Sequence, residues 1–215
     1  MPRQNRVTPF GEIVAVADRG AMMGNRGRIH EAGGRIARPW QVKRWILCRL
    51  EFNGRHRAVM APDRYTELFF LDEATGLAAG HRPCFECRRQ AYRDFAAAWA
   101  AGNAKRLPSA GAIDEQLHRE RIGPGRSKRT FRHPIDDLPD GVFVSPEDGD
   151  GTACLLRQGR LFAWSPGGYT GSRPTPAGGV VSVLTPASTV AAIRAGYAPE
   201  MHASAVLSGR EPGRL

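Results

Sequence analysis

The sequence predicts an α+β fold: an antiparallel sheet carrying a strand–helix–Cys-x-x-Cys–helix unit, then a small β-rich module closed by a C-terminal helix. Three observations carry that reading. Short runs rich in β-branched and aromatic residues crowd the first seventy or so positions and return after Asp137. Between them "RRQAYRDFAAAWAAG" has helical periodicity, with Tyr92, Phe95 and Trp99 on one stripe. The last periodic segment, "TPASTVAAIRAGYAP", starts on Pro186 and stops at Gly196, as a capped helix does. The corresponding division is residues 1–104 as the α+β module, 105–134 as a helix and basic linker, and 135–215 as the β-rich module.

In chain order, "FGEIVAV" reads as a short strand and the glycine-rich segment after it as a loop or hairpin. "WQVKRWILCRLEF" runs into Asn53-Gly54 and then "RHRAVMA", a pattern that predicts a β-hairpin, because glycine takes positive φ without a Cβ clash. "YTELFFL" is a further strand. Asp72 then offers a carboxylate to cap a short helix over "EATGLAA", which Gly80 stops. "IDEQLHRERI" predicts another helix. "ACLL" and "RLFAWS" flank a tight turn at "RQG". Two segments, "LFFLDEATGLAAGHRP" and "VSVLTPASTVAAIRAGYAP", share a strand–cap–helix order, either as a repeat or as reuse of common cap chemistry.

The 215 residues carry a formal net charge of +10 and 41% apolar residues, which predicts a globular chain attracted to polyanions. No run is long and apolar enough to predict a membrane span, and no apolar stretch follows the start, so a cytoplasmic location is expected. From Met1 to Met60 twelve Arg and Lys face four acids, and "GPGRSKRTFRH" has no acid at all. These runs make nucleic acid the expected partner, with Arg82, Arg88, Arg89, Arg126, Lys128 and Arg129 as candidate phosphate contacts. A solvated basic face with no such partner is the competing reading.

Cys84 and Cys87 are spaced to reach one metal ion, and zinc requires four ligands. The residues around them, Ala78, Ala79, Gly80, Arg82, Pro83, Cys84 and Cys87 with Arg88 and Arg89 behind, form "AAGHRPCFECRR" after a Phe-rich strand and a short helix. This stretch, about residues 69–89, resembles the second half of the zinc-binding domain of Ada-type DNA alkylation-repair proteins. That resemblance implies a zinc module on a nucleic-acid-associated protein. The family's earlier cysteine pair, which includes the methyl acceptor, would fall in or near "EFNGRHRAVM", where there is no cysteine. Methyl transfer is therefore not carried over.

Three readings of the pair stay open. Zn²⁺ is held, with His56, Cys48 or His81 completing the shell; or the module has lost its metal and the thiols pack as small hydrophobes; or the pair is redox-active. With only two ligands in register, the metal-free relative is placed ahead of the zinc site. Cys154, in "ACLL", is expected in the core.

Whether the chain is an enzyme is left open. The alternative function is a metal-dependent, hydrolase- or nuclease-like enzyme using Asp114, Glu115, His118 and His133, with Glu120 and Asp136 nearby in sequence. Local ion pairs on a helix surface explain the same residues. A partner-binding protein whose charge is incidental is the third class. No P-loop, dinucleotide fingerprint or nucleophile elbow is present.

Overall fold

A computed structural model describes residues 1–54, 58–104, 106–146 and 151–206. Two six-stranded sheets organise the chain. The first contains β1 (Gln4–Val7), β2 (Ile13–Ala15), β3 (Met22–Asn25), β4 (Ile46–Cys48), β5 (Leu68–Phe70) and β6 (Arg82–Pro83), in the order β2-β1-β5-β3-β4-β6. The second contains β7 (Phe131–Pro134), β8 (Phe143–Ser145), β9 (Cys154–Arg157), β10 (Arg160–Ser165), β11 (Gly168–Pro174) and β12 (Val180–Val183), in the order β11-β10-β9-β8-β12-β7. Among the described residues four α-helices accompany them: α1 (Glu73–Ala78), α2 (Arg89–Trp99), α3 (Ala110–Arg121) and α4 (Ala187–Arg194).

The α+β class and its C-terminal helix are as the sequence predicts. The pairing of the first sheet differs. It is mixed, because β1 runs parallel to β5 and β4 runs parallel to β6. The expected hairpin at Asn53-Gly54 also differs. Both residues do take positive φ, 52° and 62°. Yet residues 58–61, the described part of the returning segment, form no strand, and β4 is already paired with β3 on one side and β6 on the other; residues 55–57 lie outside the described residues. The second sheet is antiparallel throughout, and its tight turn at Gln158–Gly159 has positive φ at both positions. The basic run after α3 ends in a strand, β7, which forms one edge of this sheet.

One cluster of buried side chains joins the two sheets. It runs from Leu47, Leu68 and Phe70 through Phe95 and Trp99 of α2 and Ile113 and Leu117 of α3 to Val144, Leu156 and Val183, with Val190 and Ile193 of α4. A second cluster contains Phe143, Leu155, Phe162 and Tyr169, with Trp164 packed against it. The aromatic stripe of α2 therefore faces inward. Cys154 is buried as expected.

Buried polar groups tie the halves further. Asp72 caps α1, accepting from Thr75 N at 2.8 Å. Its other oxygen accepts from Tyr169 Oη at 2.7 Å and His202 N at 2.9 Å. Among the described residues no helix is long and apolar enough to cross a membrane.

Candidate metal centre

Parallel pairing of β4 with β6 builds the site. The register sets Ile46 beside Arg82 and Leu47 beside Pro83, so one step further Cys48 stands next to Cys84. Cys84 N donates to Leu47 O at 2.8 Å, which extends the ladder to the cysteine itself. The chain then turns at once into α2, with Arg88 N bonded to Cys84 O at 3.1 Å, and this turn brings Cys87 back. The ligand atoms of Cys48, Cys84 and Cys87 all lie within 4.8 Å of one another, close enough to hold a metal ion. All three cysteines are free thiols.

Electrostatics favour one thiolate in the trio. Cys84 is lowered well below an ordinary thiol, chiefly by hydrogen bonds from Cys48 and Cys87 and also by the backbone N–H groups of Cys87 and Glu86. Cys48 is raised, because its own proton is shared with Cys84 and Cys87 and because it is buried. A metal ion binding here displaces those thiol protons.

Cys48 is one of the completing ligands expected from the sequence, and the pairing of β4 with β6 delivers it. His56 lies outside the described residues. His81, next to the motif, is not with the cysteines. Its ring is buried 4.7 Å from Phe70 and 5.1 Å from Trp45, and Nε2 accepts from Arg26 Nε at 3.4 Å. Burial, then the charges of Arg26 and Arg121, hold it well below the usual imidazole range.

The proposed phosphate contacts divide. Arg89, Arg126 and Arg129 are exposed. Arg82 is not a surface cation: it is buried, with Nε and Nη2 bonded to the two oxygens of Asp114 at 2.9 and 2.8 Å. Nor is Arg88, whose two Nη atoms meet Glu73 at 2.6 and 3.0 Å, while Nη2 also reaches Glu200 at 2.7 Å. In both cases a buried carboxylate takes the charge that a phosphate was expected to take.

Lys128 also turns inward. Its ammonium end is enclosed and donates to Ala78 O, while part of its stem reaches the surface. Arg26 and Arg121 lie over the Trp45 ring at 4.1 and 3.8 Å, and Arg121 Nη1 caps Gly80 O at 2.7 Å. Gly80 has φ 86°, and a Cβ there would stand 2.6 Å from Arg121 Cδ, so conformation and space both demand glycine.

Burial, followed by repulsion from Arg26 and Arg121, lowers Lys128 to about 7 from 10.5. Between those values the unfolded chain holds the proton and the folded chain does not. Stability should therefore rise with pH across that window. Denaturant midpoints measured across it should climb in the wild type and stay flatter in Lys128→Met; equal slopes would refute the assignment.

The alternative catalytic group does not assemble. Asp114 belongs to Arg82, and Glu115 pairs with Lys43 at 2.8 Å on the surface. His118 stacks edge-on against Trp40 at 5.6 Å and has Arg121 Nη2 3.2 Å from Nδ1. Glu120 accepts from Ser188 N and Oγ, at 3.0 and 2.5 Å, and Asp136 from Gly178 N at 3.0 Å. His133 sits half-buried on β7 beside Phe131. These carboxylates are engaged in joining elements, and among the described residues the cysteine trio alone forms a cluster of three metal-ligating groups.

A cleft of about 790 Å³ adjoins the trio, and Cys48, Cys84 and Cys87 all line it. No protein-family model, no curated protein and no solved structure matches this chain.

Proposed function

We propose that this chain is a zinc-binding protein that associates with nucleic acid, with Zn²⁺ held by the thiolates of Cys48, Cys84 and Cys87. The observation that carries the metal reading is the mutual approach of three sulfurs to within 4.8 Å, from a strand end and an adjoining turn. Thiolate-rich sets suit zinc. The likeness of "AAGHRPCFECRR" to the Ada-type zinc module supports the same ion. The third ligand beside the pair places the zinc site ahead of the metal-free relative. Purified protein should contain about one zinc per chain, and Cys48→Ser or Cys84→Ser should lose it. A metal-free wild type that takes up no added zinc would refute the reading.

Nucleic-acid association is supported by the net charge of +10 and by exposed Arg89 beside the cysteine turn and Arg126 and Arg129 after α3. Affinity for duplex DNA should fall steeply with salt. Arg126→Ala and Arg129→Ala should each reduce the slope of log K against log salt by roughly 1. No measurable binding at low salt would remove the partner and leave the metal site standing.

A metal-dependent enzyme is the second reading, favoured by one observation: the three cysteines line a cleft rather than a closed core. Three protein ligands with a fourth position facing a cavity is the arrangement catalytic zinc uses. On this reading His118→Ala leaves turnover unchanged and Cys84→Ser abolishes it.

A further inference from the structure

The backbone that points three sulfurs at one ion also holds them where they can bond to one another. Cys48 and Cys84 follow the paired residues Leu47 and Pro83 on parallel strands. Neighbouring strands run about 4.8 Å apart, inside the roughly 4.4–6.8 Å between Cα atoms that a disulfide spans. Cys84 and Cys87 share a single turn, closed by Arg88 N on Cys84 O at 3.1 Å. All three sulfurs lie within 4.8 Å of one another, so closing a bond asks for rotation of side chains rather than rearrangement of strands.

Access separates the three. Cys48 and Cys84 are 8% and 7% exposed, whereas Cys87 is half-buried. Cys87 also lines the cleft of about 790 Å³, which has room for a molecule the size of hydrogen peroxide.

We infer that the trio is an oxidative modification site, entered by a hydroperoxide at Cys87 and closed as a disulfide by Cys84 or Cys48. The thiolate of Cys87 attacks one peroxide oxygen. An S–O bond forms, the O–O bond breaks, and the departing hydroxide takes a proton to become water. Cys87 is thereby oxidised by two electrons to a sulfenic acid and the peroxide is reduced. A neighbouring thiolate then attacks the Cys87 sulfur. The S–S bond forms, the S–O bond breaks, and a second hydroxide leaves as water. Zinc release follows from the metal reading above: two of the three thiolates are consumed, and the remaining one does not hold the ion. The disulfide itself does not rest on that reading.

The test treats reduced, zinc-supplied full-length protein with hydrogen peroxide. Zinc release is followed with a chromophoric chelator, and the cysteines by alkylation and peptide mapping. One disulfide within the trio should form in step with zinc release, Cys154 should stay reduced in its own sheet, and dithiothreitol with zinc should restore the starting state. Dimedone, which traps sulfenic acid, should label Cys87 in the wild type. Cys87→Ser should lose its remaining thiols about tenfold more slowly, because both are buried. Dimedone on Cys84 or Cys48 instead would overturn the entry at Cys87, and it decides the point even where the variant fails to fold. Zinc and thiols retained in peroxide that fully oxidises free cysteine would overturn the whole inference. So would oxidation to sulfinic acid with no disulfide, or a bond to Cys154. The same disulfide closing in protein that takes up no zinc supports the modification site and removes the metal reading alone.

Discussion

Glu73→Gln should destabilise the fold by about 3–5 kcal/mol, because it leaves a buried arginine without its counter-charge. Glu73 opens α1 and is fully enclosed. It accepts both Nη groups of Arg88, the hydroxyl of Tyr197 at 2.6 Å and the backbone N–H of Glu200 at 3.0 Å. Burial works against the Arg88 cation, yet the Glu73 hydrogen bonds and charge overcome it and hold its pKa above the usual guanidinium value. Tyr197 is raised as well, by burial first and by the Glu73 carboxylate second. An amide keeps the shape and loses the charge. For a chain of this length the expected fall in Tm is roughly 10 °C. The segment from Tyr197 to His202, held by Glu73 and Asp72, should become the first site of proteolysis. A loss below about 1 kcal/mol would mean that desolvation nearly offsets the pair and that the network contributes little.

Removing metal should have an effect of similar size. With free zinc a thousandfold above its Kd, binding adds about 4 kcal/mol to folding stability, and a chelator takes it away. The loss should be local before it is global. Amide exchange should accelerate first in the Cys84–Arg88 turn and at the pairing of β4 with β6, which an ion on the three sulfurs would staple together. The stabilisation should also shrink as pH falls, because the ion competes with protons for the thiols and Cys48 holds its proton firmly. Identical urea midpoints with and without chelator, at neutral pH and with zinc supplied, would contradict a bound structural ion.

Those two effects mark different depths of legibility. The cap at Asp72, the inward stripe of Tyr92, Phe95 and Trp99, the turn at Gln158–Gly159 and the helix from Ala187 to Arg194 were all readable. Each depends on residues within a few positions of one another, and local spacing carries that information. The hairpin at Asn53-Gly54 shows the limit. The turn residues behave as their chemistry demands, but the strand before them was already claimed on both edges.

By itself the sequence determined the α+β class, most of the local elements, the paired cysteines at the head of α2 and the strongly basic balance. Only the tertiary structure decided that Cys48 completes a trio with Cys84 and Cys87, and that Asp114 belongs to Arg82 rather than to His118. It also decided which arginines meet solvent and which meet Glu73, Asp114 or a carbonyl. The reason is physical. A guanidinium or a thiol has the same composition wherever it lies, and its role depends on which distant groups the sheet register and the shared core bring within a few ångströms of it.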